Sequence, residues 1–232
     1  MLNRVVMVSL VIALLGASAT PALAELRKVK QGKGLTYDVY VPEGYTRDRT
    51  WPLLVLFHWS TARSTNMLKL WKATADKYGI VLAAPNSEYW LTWTRGDAAR
   101  AQQMIVDLSS ELAIDDQRVF ATGFSAGANF TYRMMVQNPG LFRAVGPFGG
   151  FLDAKDAELA NPAGRDNTRI CVAHGTVDHK ISFRQALKAT ARLQENGFEV
   201  HLSRFPQGHW LPPGYADGMW RCLAGVAPDK RS

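Results

Sequence analysis

Between residues 35 and 205 the chain alternates short, almost continuously apolar runs with longer amphipathic ones, and this alternation limits its folding more than any other feature. Runs such as LLVLFH (53–58) and RICVAH (169–174) are apolar nearly throughout, as expected of strands covered by helices on both faces. The pattern predicts strands at 35–41, 53–58, 80–84, 118–122, 144–148, 169–174 and 200–205. Helices are predicted at 67–78, 98–112, 126–137 and 182–196, with one more around Cys222. Strands and helices in strict alternation imply an α/β fold with a doubly wound, mainly parallel sheet. The 232 residues suit one domain, with no internal repeat or long linker to divide them. A composition of 47% apolar and 20% charged residues excludes a disordered chain, a collagen-like repeat and a multi-pass membrane protein.

The first 24 residues are expected to stand outside that domain. MLNRVVMVSLVIALLGASATPALA carries one positive charge at Arg4, an apolar run from Val5 to Leu15, a break at Gly16, and Ala22-Leu23-Ala24 before Glu25. This is the pattern of a signal peptide cleaved after Ala24, and its apolar run is too short to span a bilayer stably. Cleavage leaves residues 25–232 as a single domain of 208 residues, its net charge reduced from +7 to +6 by the loss of Arg4. The mature protein is then exported, periplasmic or secreted, without stable membrane insertion. Export leaves two readings of the cysteines: in an oxidising compartment Cys171 and Cys222 pair, and otherwise both are buried free thiols. No Cys/His spacing resembles a zinc site, so no metal is expected.

In a parallel sheet the chemistry gathers at the carboxyl ends of the strands. The sharpest signal there is Gly123-Phe124-Ser125-Ala126-Gly127, which follows the strand RVFAT and opens a helix. A serine on that tight turn has a strained backbone and projects its hydroxyl from the sheet, while the helix N-terminus offers N–H groups to a developing oxyanion. The hydroxyl needs a base, and the base an orienting acid. Of the downstream histidines, His174 and His201 fall within strand patterns and His179 adjoins the acid. His209, in PQGHW directly after a strand, is the expected base. Asp178, in the short loop of HGTVDHKISF, is favoured as the acid over Asp153, which lies in a longer, charged loop after the preceding strand. Ala126 is one expected oxyanion donor, and the second comes from the loop His58-Trp59-Ser60-Thr61.

The stretches LTYDVYVPEGY, PLLVLFH, WKATADKYGIVLAAPN, WTRGDAARAQQMIVDL, IDDQRVFATGFSAG, HGTVDHKIS and QGHW together resemble the polyhydroxybutyrate depolymerase and feruloyl esterase group of α/β-hydrolase esterases, across nearly the whole mature chain. The resemblance implies an α/β-hydrolase fold, a serine esterase acting through Ser125, Asp178 and His209, and no cofactor. The group usually carries Gly directly after the histidine of LFH, and here Trp59 takes that place. Ser60 then becomes the expected second donor, with Trp59 as a wall of the substrate site. Tyr89, Trp90, Trp93 and Trp210 are expected at the same end of the sheet, lining a cleft for a phenolic acyl group or a polyester segment. About twenty residues separate the strands at 144–148 and 169–174, too few for a large lid domain. Two other readings stay open: a serine peptidase or acyltransferase on the same fold, and a non-catalytic binding protein on a hydrolase scaffold, the last prompted by Trp59.

The excess of basic residues first suggests a nucleic-acid partner. Lys180, Arg184, Lys188 and Arg192 recur every four residues on the expected helix at 182–196, on the side away from Phe183, Leu187 and Thr190. Like charges at that spacing repel, so the stripe faces water. With no basic arm or stacking platform beside it, no nucleic-acid partner is expected, and the partners are small or polymeric esters.

Overall fold

A computed structural model describes residues 25–31, 35–159 and 168–226; the expected signal peptide, residues 1–24, lies outside them. The strands are β1 (Glu25–Gln31), β2 (Leu35–Val41), β3 (Trp51–Phe57), β4 (Val81–Pro85), β5 (Ile114–Phe124), β6 (Ala144–Phe148), β7 (Arg169–Gly175) and β8 (Val200–Phe205). They form one sheet in the order β1-β2-β4-β3-β5-β6-β7-β8. β2 runs antiparallel to both β1 and β4, and every pairing from β4 through β3 to β8 is parallel. The helices are α1 (Ser64–Tyr78), α2 (Arg95–Glu111), α3 (Ala126–Gln137), α4 (Ala154–Leu159), α5 (Arg184–Glu195) and α6 (Tyr215–Leu223).

The two-residue period of the strands divides the core in two. Leu53, Val55 and Phe57 of β3 join one cluster with apolar faces of α2, α3 and α5, including Met104, Phe130 and Leu193. Leu54 and Leu56 point the other way, into a cluster with Trp71 of α1 and with Met219 and Trp220 of α6. β3 is buried throughout, which is why its sequence lacks alternation. The loop after β4 is locked to α2 by a reciprocal cap: Asp97 N–H donates to Thr94 Oγ1, and Thr94 N–H donates to Asp97 Oδ2. Asp97, wholly buried, also accepts from Glu88 N–H and from Arg100, so this polar group is fully used in fixing the loop.

Several sequence expectations need correction. β1, whose sequence ELRKVKQ is dominated by charged and polar groups, is an edge strand paired along its length with β2, with Val29 packed against the core. β7 pairs with the edge strand β8. The basic stripe is shorter than expected, because α5 starts at Arg184 and Lys180 belongs to the turn around Asp178. That helix buries Ala186, Ala189 and Leu193, leaving Leu187 exposed. Cys171 of β7 and Cys222 of α6 are joined in a disulfide with Cα atoms 6.1 Å apart, so α6 is tied across one face of the sheet.

Candidate active site

β5 and α3 meet at Ser125, which takes φ 56° and ψ −115°. Thr61 is the other non-glycine residue with positive φ among the described residues, and it lies in the loop after β3. A serine in that conformation is strained, and surrounding contacts hold it there. Its N–H donates to the Phe148 carbonyl at the end of β6, and its own carbonyl accepts from Ala128 and Asn129 as α3 begins. The two flanking glycines are required sterically. A Cβ on Gly127 would sit 2.0 Å from the Phe57 carbonyl oxygen, and one on Gly123 would sit 2.3 Å from the Gly127 oxygen. Without side chains there, α3 packs directly against the end of β3 and holds Ser125 at the top of the sheet.

The loops after β7 and β8 bring two more groups to this point. Val177 N–H donates to the Gln207 carbonyl and Thr176 N–H to that of Phe205, extending the strand pairing into the loops. His209 Nε2 lies 2.9 Å from Ser125 Oγ, and His209 Nδ1 lies 2.6 Å from Asp178 Oδ2. The Asp178 side chain is 1% exposed. Burial pushes its carboxyl up, but hydrogen bonds from His209 and from the backbone N–H groups of Ile181 and Lys180 outweigh burial and hold it below the usual range. An ionised carboxylate only accepts, so His209 carries its proton on Nδ1 and offers the Nε2 lone pair to the serine hydroxyl. Asp153 is elsewhere: its side chain and carbonyl accept from Lys155 and Ala157 at the start of α4. His201 pairs with Glu199 at the surface, His179 is exposed, and His174 is wholly buried in β7.

The loop after β3 faces the same turn. Its Thr61 and Ala62 amides are engaged by the carbonyls of Trp90 and Trp59, and the Ser60 hydroxyl donates to the Leu91 carbonyl. Trp59 packs edge-on against Phe124, ring centroids 5.7 Å apart, and Phe124 lies 4.9 Å from the His209 ring. Trp59, Phe124 and His209 therefore form one continuous wall beside Ser125. Tyr89, Trp90 and Trp210 are each more than half exposed. Trp93 does not join them: it is 6% exposed, stacked on Phe130 at 4.5 Å, and its indole N–H donates to the His58 carbonyl. Its position just before the α2 cap turns the ring into the core between Phe57 and Phe130, so its expected substrate-lining place is corrected to a structural one.

Phe124 and His58 were named from sequence only within their loops, without a role of their own. His58 is buried, which holds its imidazole below the usual range, and Ser87 N–H donates to its Nε2. Nδ1 then carries the proton and donates to the Trp59 carbonyl, fixing the peptide between Trp59 and Ser60. The only sequence cue is the position of His58, directly after a fully apolar strand.

Among the described residues, no group of three or more His, Cys, Asp or Glu side chains is placed to hold a metal ion, and no helix is long and apolar enough to cross a membrane. The site holds a hydroxyl, an imidazole and a carboxylate in series, an arrangement able to deliver an alkoxide to a carbonyl carbon.

Several known proteins are similar to this chain. The chain is 29% identical over 167 residues to a bifunctional acetylxylan esterase/xylanase of Neocallimastix patriciarum, covering 68% of this chain but 23% of that protein. It is 25% identical over 192 residues to a probable feruloyl esterase C of Aspergillus niger, covering 78% of this chain and 68% of that one. The crystal structure of an acetyl xylan esterase from Aspergillus awamori superposes with a TM-score of 0.73 at 16% identity, covering 88% of this chain and all of that chain, which is a likeness of fold. The family model for phospholipase/carboxylesterase matches residues 95–214, just over half of the sequence and the stretch that holds Ser125, Asp178 and His209. The chain therefore belongs to the phospholipase/carboxylesterase family of α/β-hydrolases.

Proposed function

We propose that this chain is an exported serine esterase that cleaves carboxylic esters through an acyl-enzyme on Ser125. The observation that carries the reading is the unbroken series from Ser125 Oγ to His209 Nε2 (2.9 Å) and from His209 Nδ1 to Asp178 (2.6 Å). Ser125 Oγ attacks the ester carbonyl while His209 takes its proton, and Asp178 stabilises the imidazolium. The tetrahedral oxyanion is met by the Ala126 amide at the start of α3 and by an amide of the Trp59–Ser60 pair. His209 then gives its proton to the departing alkoxide, and water resolves the acyl-enzyme by the same steps in reverse.

The open, aromatic surroundings of Ser125 favour a flat or polymeric acyl group, of feruloyl or polyhydroxyalkanoate type. Trp59 and Phe124 form the inner wall, with Tyr89, Trp90 and Trp210 further out. Export is supported by the apolar leader ending in Ala22-Leu23-Ala24 and by the disulfide, which suits an oxidising compartment.

A hydrolysis panel of short-chain acyl esters, methyl ferulate and a polyhydroxyalkanoate suspension tests the substrate class, with Ser125→Ala as the blank. Turnover of methyl ferulate or the polymer above the short-chain esters is expected. A preference for long acyl chains would count against both substrate classes, and activity on amides above esters would favour a peptidase.

A further inference from the structure

Asp178 touches a second imidazole. His174, on β7 and wholly buried, places Nε2 2.8 Å from the Ile181 carbonyl and 3.4 Å from Asp178 Oδ2, the same oxygen that accepts from His209. A carbonyl oxygen only accepts, so Nε2 carries the proton. The other ring nitrogen, Nδ1, is buried with no hydrogen-bond partner, and the ring lies edge-on to Phe183 at 6.0 Å. A buried nitrogen without a partner is costly, so an apolar residue would fill this space better if filling it were the whole role.

The Nε2–H contacts explain why a histidine stands there. Ile181 is held at both ends, its N–H by Asp178 Oδ1 at 2.9 Å and its carbonyl by His174. The turn whose amides grip one carboxylate oxygen is thus fastened to β7 by the imidazole that also reaches the other. Asp178 is left with one orientation, the one in which Oδ2 faces His209.

We propose that His174 is a positioning residue for the ester-hydrolysis site, using one N–H to lock the 178–181 turn while its positive end lies 3.4 Å from Asp178 Oδ2, the oxygen that His209 uses. The proposal rests on the reading of Ser125, His209 and Asp178 as the catalytic series. The ionisable groups around His174 are Asp178 and, through it, His209 from the loops after β7 and β8, and Arg204 at the paired position on β8. Arg204 lies over Phe183, and the adjoining Lys180 and His179 are exposed. Of these, only the contact to Asp178 reaches the reacting groups. Removing the N–H dipole beside Oδ2 leaves that oxygen to His209 alone, so the His209 imidazolium should persist to higher pH. The freed turn should also lower turnover.

The test compares wild type, His174→Leu and His174→Gln, whose amide N–H can reach the place of Nε2–H. The measurements are kcat and KM for p-nitrophenyl acetate across pH, normalised to serine titrated with a fluorophosphonate, and the downfield proton resonance of the His209–Asp178 bond. In His174→Leu, kcat per titrated serine should fall by about tenfold to a hundredfold with KM unchanged, as for a small misplacement of a reacting group. The acid limb of kcat/KM should move to higher pH and the downfield resonance should shift. His174→Gln should restore most of each. If the Leu variant does not fold, His174→Phe replaces it. Wild-type kcat and pH profile in the apolar variant, or a loss of melting temperature alone, would overturn the positioning role. Hydrolysis retained in Ser125→Ala would overturn the catalytic series itself and this proposal with it.

Discussion

Replacing Gly127 with Ala sets two effects of opposite sign against each other. In an unconstrained helix the change favours folding by about 1 kcal/mol. Here the new Cβ would lie 2.0 Å from the Phe57 carbonyl oxygen and 2.6 Å from its carbon, both backbone atoms of β3. Ordinary contact begins at 3.4 Å, so α3 must withdraw from β3 by more than an ångström, against a buried interface. Overpacking of that kind costs about 1–3 kcal/mol and outweighs a propensity gain already reduced in the first turn. The net loss of about 1–2 kcal/mol should lower the melting temperature by about 2–8 °C in a chain of this size. Ser125 moves with the helix, and a displacement near 1 Å between nucleophile and base costs about a hundredfold in kcat. Scanning calorimetry and p-nitrophenyl acetate kinetics on the same preparation measure both effects. A variant that melts higher than wild type and keeps its kcat would refute the close packing of α3 on β3 as the device that places the nucleophile.

Other consequences are more local. Asp178→Asn should keep the fold and lose about 10⁴ in kcat, because the imidazole tautomer is no longer held. The carboxyl of Asp178 sits below its ordinary value of 3.8, so its stabilising contribution is full above that pH and fades as pH falls through the lower folded-state value. Acid denaturation curves of the Asn variant should lack that component, and a curve of unchanged shape would contradict the hydrogen-bonded carboxylate. Reducing the Cys171–Cys222 bond, which closes a loop of 51 residues, should cost up to about 4 kcal/mol in urea unfolding. A midpoint that does not move on reduction would show that α6 is held without it. Trp93→Ala should cost about 3–5 kcal/mol as a core truncation, whereas Trp90→Ala and Trp210→Ala should change KM for aromatic esters and leave the melting temperature near wild type. Equal stability losses at all three positions would contradict the division between core and rim.

Much of this molecule was legible because burial and periodicity coincide. β2, β6, β8 and α3 occupy the predicted residues, and the turn at Ser125 sits between β5 and α3 where glycine spacing placed it. The series Ser125, Asp178 and His209 came together from residues 84 and 31 positions apart, because each follows a parallel strand. β1 was missed since an edge strand of Glu, Arg, Lys and Gln has no apolar signature, and its pairing with β2 is made by the backbone. Trp93 was misplaced because composition says that a ring is present, not where it turns; the Thr94–Asp97 cap decides that. His58 was read only as part of the loop after β3 and His174 only as a strand residue, because each lies in or beside an apolar strand, and only three-dimensional neighbours reveal what their ring nitrogens hold.

The central claim is that Ser125 Oγ carries the acyl group between the ester and water. Rapid quenching of the reaction with p-nitrophenyl acetate at acid pH, followed by proteolysis and mass spectrometry, reads this directly. Acyl transfer through Ser125 predicts a burst of p-nitrophenol stoichiometric with enzyme wherever deacylation is slower than acylation, an acetyl adduct on the peptide containing Ser125, and neither in Ser125→Ala. An adduct on another residue, or hydrolysis at the wild-type rate in Ser125→Ala, would contradict it.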